Sequence, residues 1–131
     1  MQKELNKDVQ MRDVLIFGRY RPKMYEHGGI RRFEGMTRKT LRELLLRGFI
    51  DPEDTQNLAP SVKEIYDFMR RNRGYTCHGY AVSVDRDDYR VSIEGVCKGK
   101  PAKSPEEFQD FKETFKYADE FNPSIMWCRF D

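Results

Sequence analysis

Residues 75 to 98 have the pattern of a single β-hairpin, which constrains the fold more than any other part of the chain. Two stretches rich in β-branched and aromatic residues, 75–84 and 89–98, flank the turn-forming acidic segment 85–88. The register that separates apolar from polar side chains pairs Val84 with Tyr89, Val82 with Val91 and Tyr80 with Ile93. The other face then carries the small or polar residues Gly79, Ala81, Ser83 and Ser92. A shift of one residue would mix the two faces.

Length and composition indicate one domain without a membrane-spanning segment. The chain has 131 residues, 38% of them hydrophobic and 35% charged, which is enough to bury a core without disulfides or metal. No apolar run reaches the roughly 20 residues of a membrane helix, and the N-terminus lacks the apolar stretch of a signal peptide. Three cysteines without framework spacing indicate a reducing, cytoplasmic compartment. We expect a frayed terminus over 1–11 and a single α+β domain over 12–131.

Two segments besides the hairpin are typical of strands, and a third favours a short one. The apolar run 14–17 predicts a strand over 13–20 that is buried on both faces and ends at Arg21-Pro22. After a turn at Gly28-Gly29, a short strand is expected at 30–33. A terminal strand is expected at 124–130.

Three segments carry helix-start signals. Thr37 is a suitable N-cap for a helix over 38–47. Ser61 and Glu64 form the pattern of a capping box, which predicts a helix from 62 to about 72. Ser104 precedes a proline and two glutamates, which predicts a third helix that ends at Asn122-Pro123.

The resulting order, β-α-α-β-β-α-β, predicts an α+β fold. We expect a two-layer sandwich, with an antiparallel sheet and helices on one face. If the two successive helices act as one crossover, the order is that of a ferredoxin-like fold, in which the first and third strands are central. A plain antiparallel meander with helices on one face is the alternative.

Cysteine and histidine residues near the hairpin invite a zinc interpretation, which the predicted register opposes. The candidates are Cys77, His78, Cys97 and Cys128. Neighbouring residues of a strand point to opposite faces, and the register also separates Cys77 from Cys97. A structural zinc site needs four convergent ligands, and the chain has no Cys-x-x-Cys. We therefore predict no metal site, no cofactor and buried, unreactive thiols.

The chain offers few candidates for catalysis. Acids cluster around the hairpin turn at Asp85, Asp87, Asp88 and Glu94. Aspartates are ordinary turn residues, although a metal-dependent hydrolase also uses clustered carboxylates. The only histidines are His27, beside Gly28-Gly29, and His78, so general-base candidates are few. Because no nucleophile elbow, P-loop or dinucleotide motif occurs, a non-enzymatic protein is favoured.

The basic first part of the chain is the most suggestive site. Residues 1–50 hold 12 Lys/Arg and 6 Asp/Glu, a net charge of +6, whereas 51–131 carry a net −4. Cations alternate with aromatic residues here, as in proteins that bind single-stranded nucleic acid. The candidate binding residues are Arg19, Tyr20, Arg21, Lys23, Tyr25, Arg31, Arg32, Phe33, Arg38, Lys39 and Arg42. The plainer alternative is that these cations pair with acids of the folded chain.

These observations favour a small non-enzymatic regulatory protein of bacterial, phage or mobile-element origin. It would bind a macromolecular partner, a protein rather than a nucleic acid or a membrane, and inhibition of a host or rival nuclease is one form of that role. Two alternatives stay open: a single-stranded nucleic-acid-binding protein that uses 19–42, and a metal-dependent hydrolase that uses the acids of 85–94.

Overall fold

The computed structural model describes residues 4–25 and 28–131. These residues form four α-helices, a three-stranded antiparallel sheet and a separate two-stranded hairpin, an α+β architecture. The helices are α1 (Val9–Phe17), α2 (Arg38–Leu46), α3 (Val62–Arg71) and α4 (Pro105–Thr114). The strands are β1 (Ile30–Met36), β2 (Thr76–Val82), β3 (Val91–Cys97), β4 (Glu120–Asn122) and β5 (Trp127–Arg129). A short 3-10 helix, Pro22–Tyr25, connects α1 towards β1.

The strand predicted at 13–20 is wrong, because this segment forms helix α1. Asp8 caps the helix by accepting a hydrogen bond from the Met11 N–H, and Gly18 ends it in the left-handed region at φ +78°. An apolar run of four residues fits a buried helix as well as a buried strand. Within the segment 1–11, the Asn6 N–H donates to the Gly48 carbonyl over 2.9 Å.

Helices α2 and α3 begin where the capping signals predicted. Thr37 accepts from the Thr40 N–H, and Ser61 forms the complete capping box with Glu64. Gly48 follows α2 at φ +79°, a conformation that glycine adopts without steric cost. The chain then turns back, and Phe49 is fully buried.

Helix α4 begins after Ser104 as predicted but ends at Thr114, eight residues before the expected stop. Beyond it the Asp119 N–H donates to the Arg129 carbonyl, so backbone pairing with β5 draws the chain into strand β4. Asn122, interpreted from the sequence as a helix end, accepts from the Ser124 N–H in the β4–β5 turn instead. The terminal strand is accordingly shorter than expected.

The sheet has the order β1-β2-β3, so β2 is central. Both strand pairs are antiparallel, and helices α2 and α3 connect β1 to β2. A ferredoxin-like sheet needs its first and third strands at the centre. The pairing is therefore closer to the meander alternative, and its first strand is β1 rather than the segment 13–20.

The hairpin between β2 and β3 is confirmed, but its register is correct only away from the turn. Cys77 pairs with Val96, as predicted, whereas Tyr80 pairs with Ser92 instead of Ile93. The change follows a bulge in which Glu94 is the extra residue on β3. A Cβ on Gly79 would lie 1.9 Å from the Ser92 carbonyl oxygen, so only glycine fits there.

One side of the hairpin faces the core and the other does not. Cys77, Gly79 and Ala81 face the core, whereas Thr76, His78 and Tyr80 are half-buried on the other side. The predicted assignment of Tyr80 to the apolar face is therefore wrong, and the small-residue face is covered. All four helices contribute to one core with this face of the sheet, together with Met126, Cys128 and Phe130.

Candidate functional site

The face of the sheet opposite the core is the most distinctive surface of the molecule. Arg32 and Glu34 of β1 are exposed on it, beside the half-buried His78 and Tyr80 of β2. The helices all pack on the other face. An antiparallel sheet tolerates one face in water, and such a face is open to a partner.

One end of this face forms a groove of about 250 Å³ between β1, β2 and the β4–β5 hairpin. We call it the sheet groove. The side chains that give it its chemistry are Arg32, Glu34, His78, Glu94, Trp127 and Arg129. Alternation along β5 places Trp127 and Arg129 together in the groove, while Cys128 between them is fully buried.

His78 and Trp127 form one wall of the sheet groove. Their rings stack with centroids 5.8 Å apart and an interplanar angle of 19°. His78 Nε2 lies 3.0 Å from the Cys128 carbonyl oxygen. A carbonyl only accepts, so Nε2 carries the proton, and the neutral ring presents an Nδ1 lone pair. Burial lowers the pKa of His78, although the bond to Cys128 opposes that shift.

Gly95 allows this wall to form. A Cβ at Gly95 would lie 2.0 Å from the Cys128 carbonyl oxygen and 2.9 Å from His78 Nε2. The absence of a side chain therefore lets β5 approach the sheet closely enough for the His78 bond. The backbone N–H of Phe130 adds a hydrogen bond to the Glu94 carbonyl at 2.8 Å.

Opposite charges form the other wall. The Glu94 side chain is only 5% exposed, and its carboxylate lies 2.5 Å from Arg32 Nη1 and 4.0 Å from Arg129 Nε. The Arg32 side chain, in contrast, is 60% exposed. Arg129 also pairs with Asp131 at 2.9 Å. Because Glu34 is exposed as well, the sheet groove presents both signs of charge.

The structure separates the predicted basic and aromatic residues rather than arranging them as one array. Tyr25 is buried, and its hydroxyl donates to Asp13. Phe33 lies in the core, and the Arg31 guanidinium stacks 4.9 Å from the Phe17 ring centroid. Arg32 belongs to the sheet groove. Two of the proposed stacking rings are therefore unavailable to a ligand.

The remaining cations of the basic segment point into solvent. Each is exposed, and none forms an ion pair with another residue that the structure describes: Arg19, Arg21, Lys23, Arg38, Lys39 and Arg42. Tyr20 is half-buried. These residues lie on two stretches, the one after α1 and the first turns of α2.

The acids of the hairpin turn do not converge. Asp85 and Asp87 are exposed, whereas Asp88 is held by Arg86 at 2.8 Å and by Arg90 at 3.0 Å. Within the described ranges, no group of three or more His, Cys, Asp or Glu residues is placed to hold a metal ion. His27, the other histidine considered as a catalytic candidate, lies outside the described residues.

The three cysteines are free, and the predicted separation of Cys77 from Cys97 is confirmed. Cys97 lies opposite Thr76 and is half-buried, while Cys77 and Cys128 are fully buried. Burial raises the pKa of both buried thiols to about 12. Buried thiols with a raised pKa are poor nucleophiles.

Two buried polar networks escaped the sequence analysis. In one, Arg12 is fully buried and donates to Asp13, to the Tyr25 hydroxyl and to the Val82 carbonyl. Burial opposes its charge, but the hydrogen bond and the charge of Asp13 raise the pKa of Arg12. The arginine-aspartate pair within an otherwise apolar segment was the available signal.

In the second network, Lys98 Nζ lies 2.9 and 2.8 Å from the two carboxylate oxygens of Glu107. The Tyr75 hydroxyl donates to the same carboxylate at 2.9 Å. Burial alone would raise the pKa of Glu107, but its hydrogen bonds from Lys98 and Tyr75 outweigh burial and lower it. Nothing in the local sequence pairs these three residues.

Comparison with protein families, curated proteins and solved structures finds no match to this chain. Among the residues that the structure describes, no helix combines the length and the apolar character needed to cross a membrane.

Proposed function

We propose that this protein is a non-catalytic binding module that regulates a protein partner through the sheet groove. The observation that carries the proposal is a sheet face that none of the described helices covers, on which a groove of about 250 Å³ combines an aromatic wall with paired charges. Aromatic and arginine side chains are the residue types enriched in protein interfaces.

The state of the polar side chains favours binding over catalysis. Glu94 is neutralised by Arg32, and His78 Nε2 is occupied by a backbone carbonyl. Burial and hydrogen bonding to Glu107 raise the pKa of Tyr75, so its hydroxyl stays neutral. Ion pairing and hydrogen bonding of this kind fix the side chains and present charge and ring surface, which suits recognition of a partner.

The charge pattern of the sheet groove favours a polypeptide ligand. Glu34 and Glu94 lie on the same surface as Arg32 and Arg129. The two acids would repel the phosphate backbone of a nucleic acid, whereas a polypeptide offers side chains of both charges and backbone hydrogen-bonding groups. The regulatory role in a reducing compartment that the sequence favours, including inhibition of a nuclease, stays part of this proposal.

A charge reversal in the groove tests the proposal. Glu34 is exposed and forms no ion pair with a described residue, so Glu34→Lys reverses a charge in the groove without breaking an ion pair. Glu53→Lys, in the exposed loop between α2 and α3, is the matched control. Wild-type and variant proteins would be immobilised, and proteins retained from an extract of the source cells would be quantified by mass spectrometry.

We expect at least one protein to bind the wild type and Glu53→Lys stoichiometrically and to be lost with Glu34→Lys. Retention of the same proteins by all three forms would contradict the role of the groove. Failure of the wild type to retain any protein would contradict the binding proposal itself.

A second candidate is single-stranded nucleic-acid binding, which the six exposed cations of the basic segment outside the sheet groove favour. Phosphate contacts make affinity fall steeply with salt, in proportion to the number of phosphates neutralised. Replacement of Arg38, Lys39 and Arg42 by alanine is then expected to reduce the salt slope of binding to a short single strand. An unchanged slope, measured by fluorescence anisotropy between 50 and 200 mM salt, would exclude these residues as the contact site.

A further inference from the structure

A second surface with a different chemistry lies at the end of α4. Phe111, Phe115, Ala118 and Phe121 line a cleft of about 300 Å³ together with Lys112 and Lys116. Phe111 and Phe115 are buried and form its floor, whereas Phe121 of β4 is 41% exposed. The rings of Phe121 and Phe111 are 5.2 Å apart. We call this site the phenylalanine cleft.

The two lysines give the phenylalanine cleft a positive rim. Both are exposed, and neither forms an ion pair with another residue in the described part of the chain. Lys112 lies in the last turn of α4 with Nζ 5.7 Å from the Phe108 ring centroid. Lys116, four residues later, has Nζ 5.0 Å from the Tyr117 ring centroid. The cations therefore rest on aromatic rings beside the cleft rather than on acids.

Apolar side chains continue beyond this rim. Lys116 also lines an adjoining cleft of about 450 Å³, in which Leu58 and Tyr117 take part. Leu58 is 70% exposed and Tyr117 56% exposed. Phe121, Leu58 and Tyr117, three large hydrophobic side chains that are exposed in the described ranges, thus line two clefts. Lys116 belongs to both clefts. Exposed apolar side chains that line clefts are typical of interaction sites.

We propose that the phenylalanine cleft docks a protein segment in which a large apolar side chain is flanked by acidic residues. The apolar side chain fills the space over Phe111 and Phe115, and the acids pair with Lys112 and Lys116. The adjoining cleft carries three acids, Glu64, Asp67 and Glu113, against two cations, Arg71 and Lys116. A polyanion that extends into it, such as an anionic membrane or a nucleic acid, therefore gains no net attraction there, whereas a short acidic segment needs only the lysine rim. This site does not depend on the sheet groove.

The proposal is tested with synthetic peptides and isotope-labelled protein. The probe is a capped pentapeptide with one phenylalanine between two pairs of glutamates. The comparison peptides replace the phenylalanine by alanine or all glutamates by lysine. We expect the probe alone to shift the backbone amide resonances of residues 111–121, and both comparison peptides to leave them unchanged.

Matched variants distinguish charge recognition from nonspecific binding of the peptide. Lys112→Glu combined with Lys116→Glu is expected to weaken the probe about tenfold, since it turns two attractive exposed pairs into repulsive ones. Lys63→Glu combined with Lys100→Glu, which reverses two exposed charges outside both clefts, should leave binding unchanged.

Three outcomes would overturn the assignment. The first is equal binding by the lysine-rich peptide, and the second is a probe that shifts the sheet groove instead. The third is binding to anionic lipid vesicles that the double variant of Lys112 and Lys116 abolishes. The two proposals can fail separately. If a partner protein is lost with Glu34→Lys but the pentapeptide does not bind, the sheet groove proposal is supported and the phenylalanine cleft proposal is wrong.

Discussion

At the scale of single residues, two glycines set the shape of the sheet. Gly79 and Gly95 both have ordinary strand conformations, and at each a side chain would collide with a backbone carbonyl, at 1.9 and 2.0 Å. Backbone atoms yield less than the tips of side chains, so these positions exclude even alanine without a shift of the neighbouring strand. The bulge and the close approach of β5 both depend on this lack of a side chain.

Gly79→Ala is therefore expected to destabilise the protein by about 3 kcal/mol, the upper part of the usual cost of overpacking, because the colliding atom belongs to the backbone. Gly99→Ala is the control, because Gly99 has φ +84° and open space around it. Its cost is only the backbone strain of about 1–2 kcal/mol. Urea unfolding compares the two variants. If Gly79→Ala unfolds at the wild-type midpoint, the tight contact with Ser92 is incorrect.

At the scale of elements, α1 differs from the other helices in the way it is held. Its apolar residues surround the helix instead of forming a stripe, and Met11 and Val14 are 39% and 48% exposed. The fully buried Arg12 donates a hydrogen bond of 2.8 Å from its guanidinium to the Val82 carbonyl at the end of β2. This charged side chain therefore adds a buried connection to the central hairpin beside the packing of Leu15, Ile16 and Phe17 against the core.

Replacement of Arg12 by methionine is expected to cost about 3–5 kcal/mol, because it leaves Asp13 buried without its partner. Arg42→Met, on the exposed side of α2, is the matched control and should change the unfolding free energy by less than about 0.5 kcal/mol. Thermal unfolding followed by circular dichroism measures both. Similar melting temperatures for the two variants would show that the Arg12 network is not formed in solution.

The success of sequence-based prediction also varies by element. Starts of α2, α3 and α4 were predicted correctly, because a capping side chain and the amides it binds lie within three residues. Helix α1 was not predicted, although Asp8 and Gly18 are suitable cap residues at its two ends. The apolar run between them favoured a strand when it was considered without these caps. The bulge at Glu94 arises from packing between strands and has no local pattern that periodicity detects.

At the scale of the whole molecule, the sites depend on contacts between distant segments. The sheet groove joins β1, β2, β3 and β5, so its residues are spread from Arg32 to Arg129. The sequence showed His78 and Glu94 as candidates but gave no reason to bring Trp127 beside them. The basic segment, in contrast, is one stretch of sequence, and the fold divides it between a helix end, a 3-10 helix, a strand and α2, which buries Tyr25 and Phe33.

Acid stability tests the Glu107 network, which connects β3, α4 and the start of β2. A carboxyl whose pKa is lower in the folded state stabilises the protein above its ordinary pKa of 4.5, and this contribution is lost as pH falls through the folded value. Wild-type stability should therefore decline below about pH 5. Glu107→Gln leaves Lys98 buried without its acid and should cost about 3–5 kcal/mol at pH 7.

The difference between wild type and Glu107→Gln should shrink steadily between pH 5 and pH 3 in urea unfolding experiments. Glu106→Gln, an exposed neighbour in the first turn of α4, is the control and should follow the wild-type curve closely. A constant gap between wild type and Glu107→Gln across this range would mean that the Glu107 pKa is not lowered by folding.

The unequal burial of the three thiols has a practical consequence. Cys97 borders the sheet groove and is half-buried, while Cys77 and Cys128 are shielded and resist ionisation. A maleimide dye added to the native protein should therefore modify one site, next to Trp127. The chain in this way carries its own attachment point for a fluorescent reporter, and occupancy of the groove becomes measurable without an engineered cysteine.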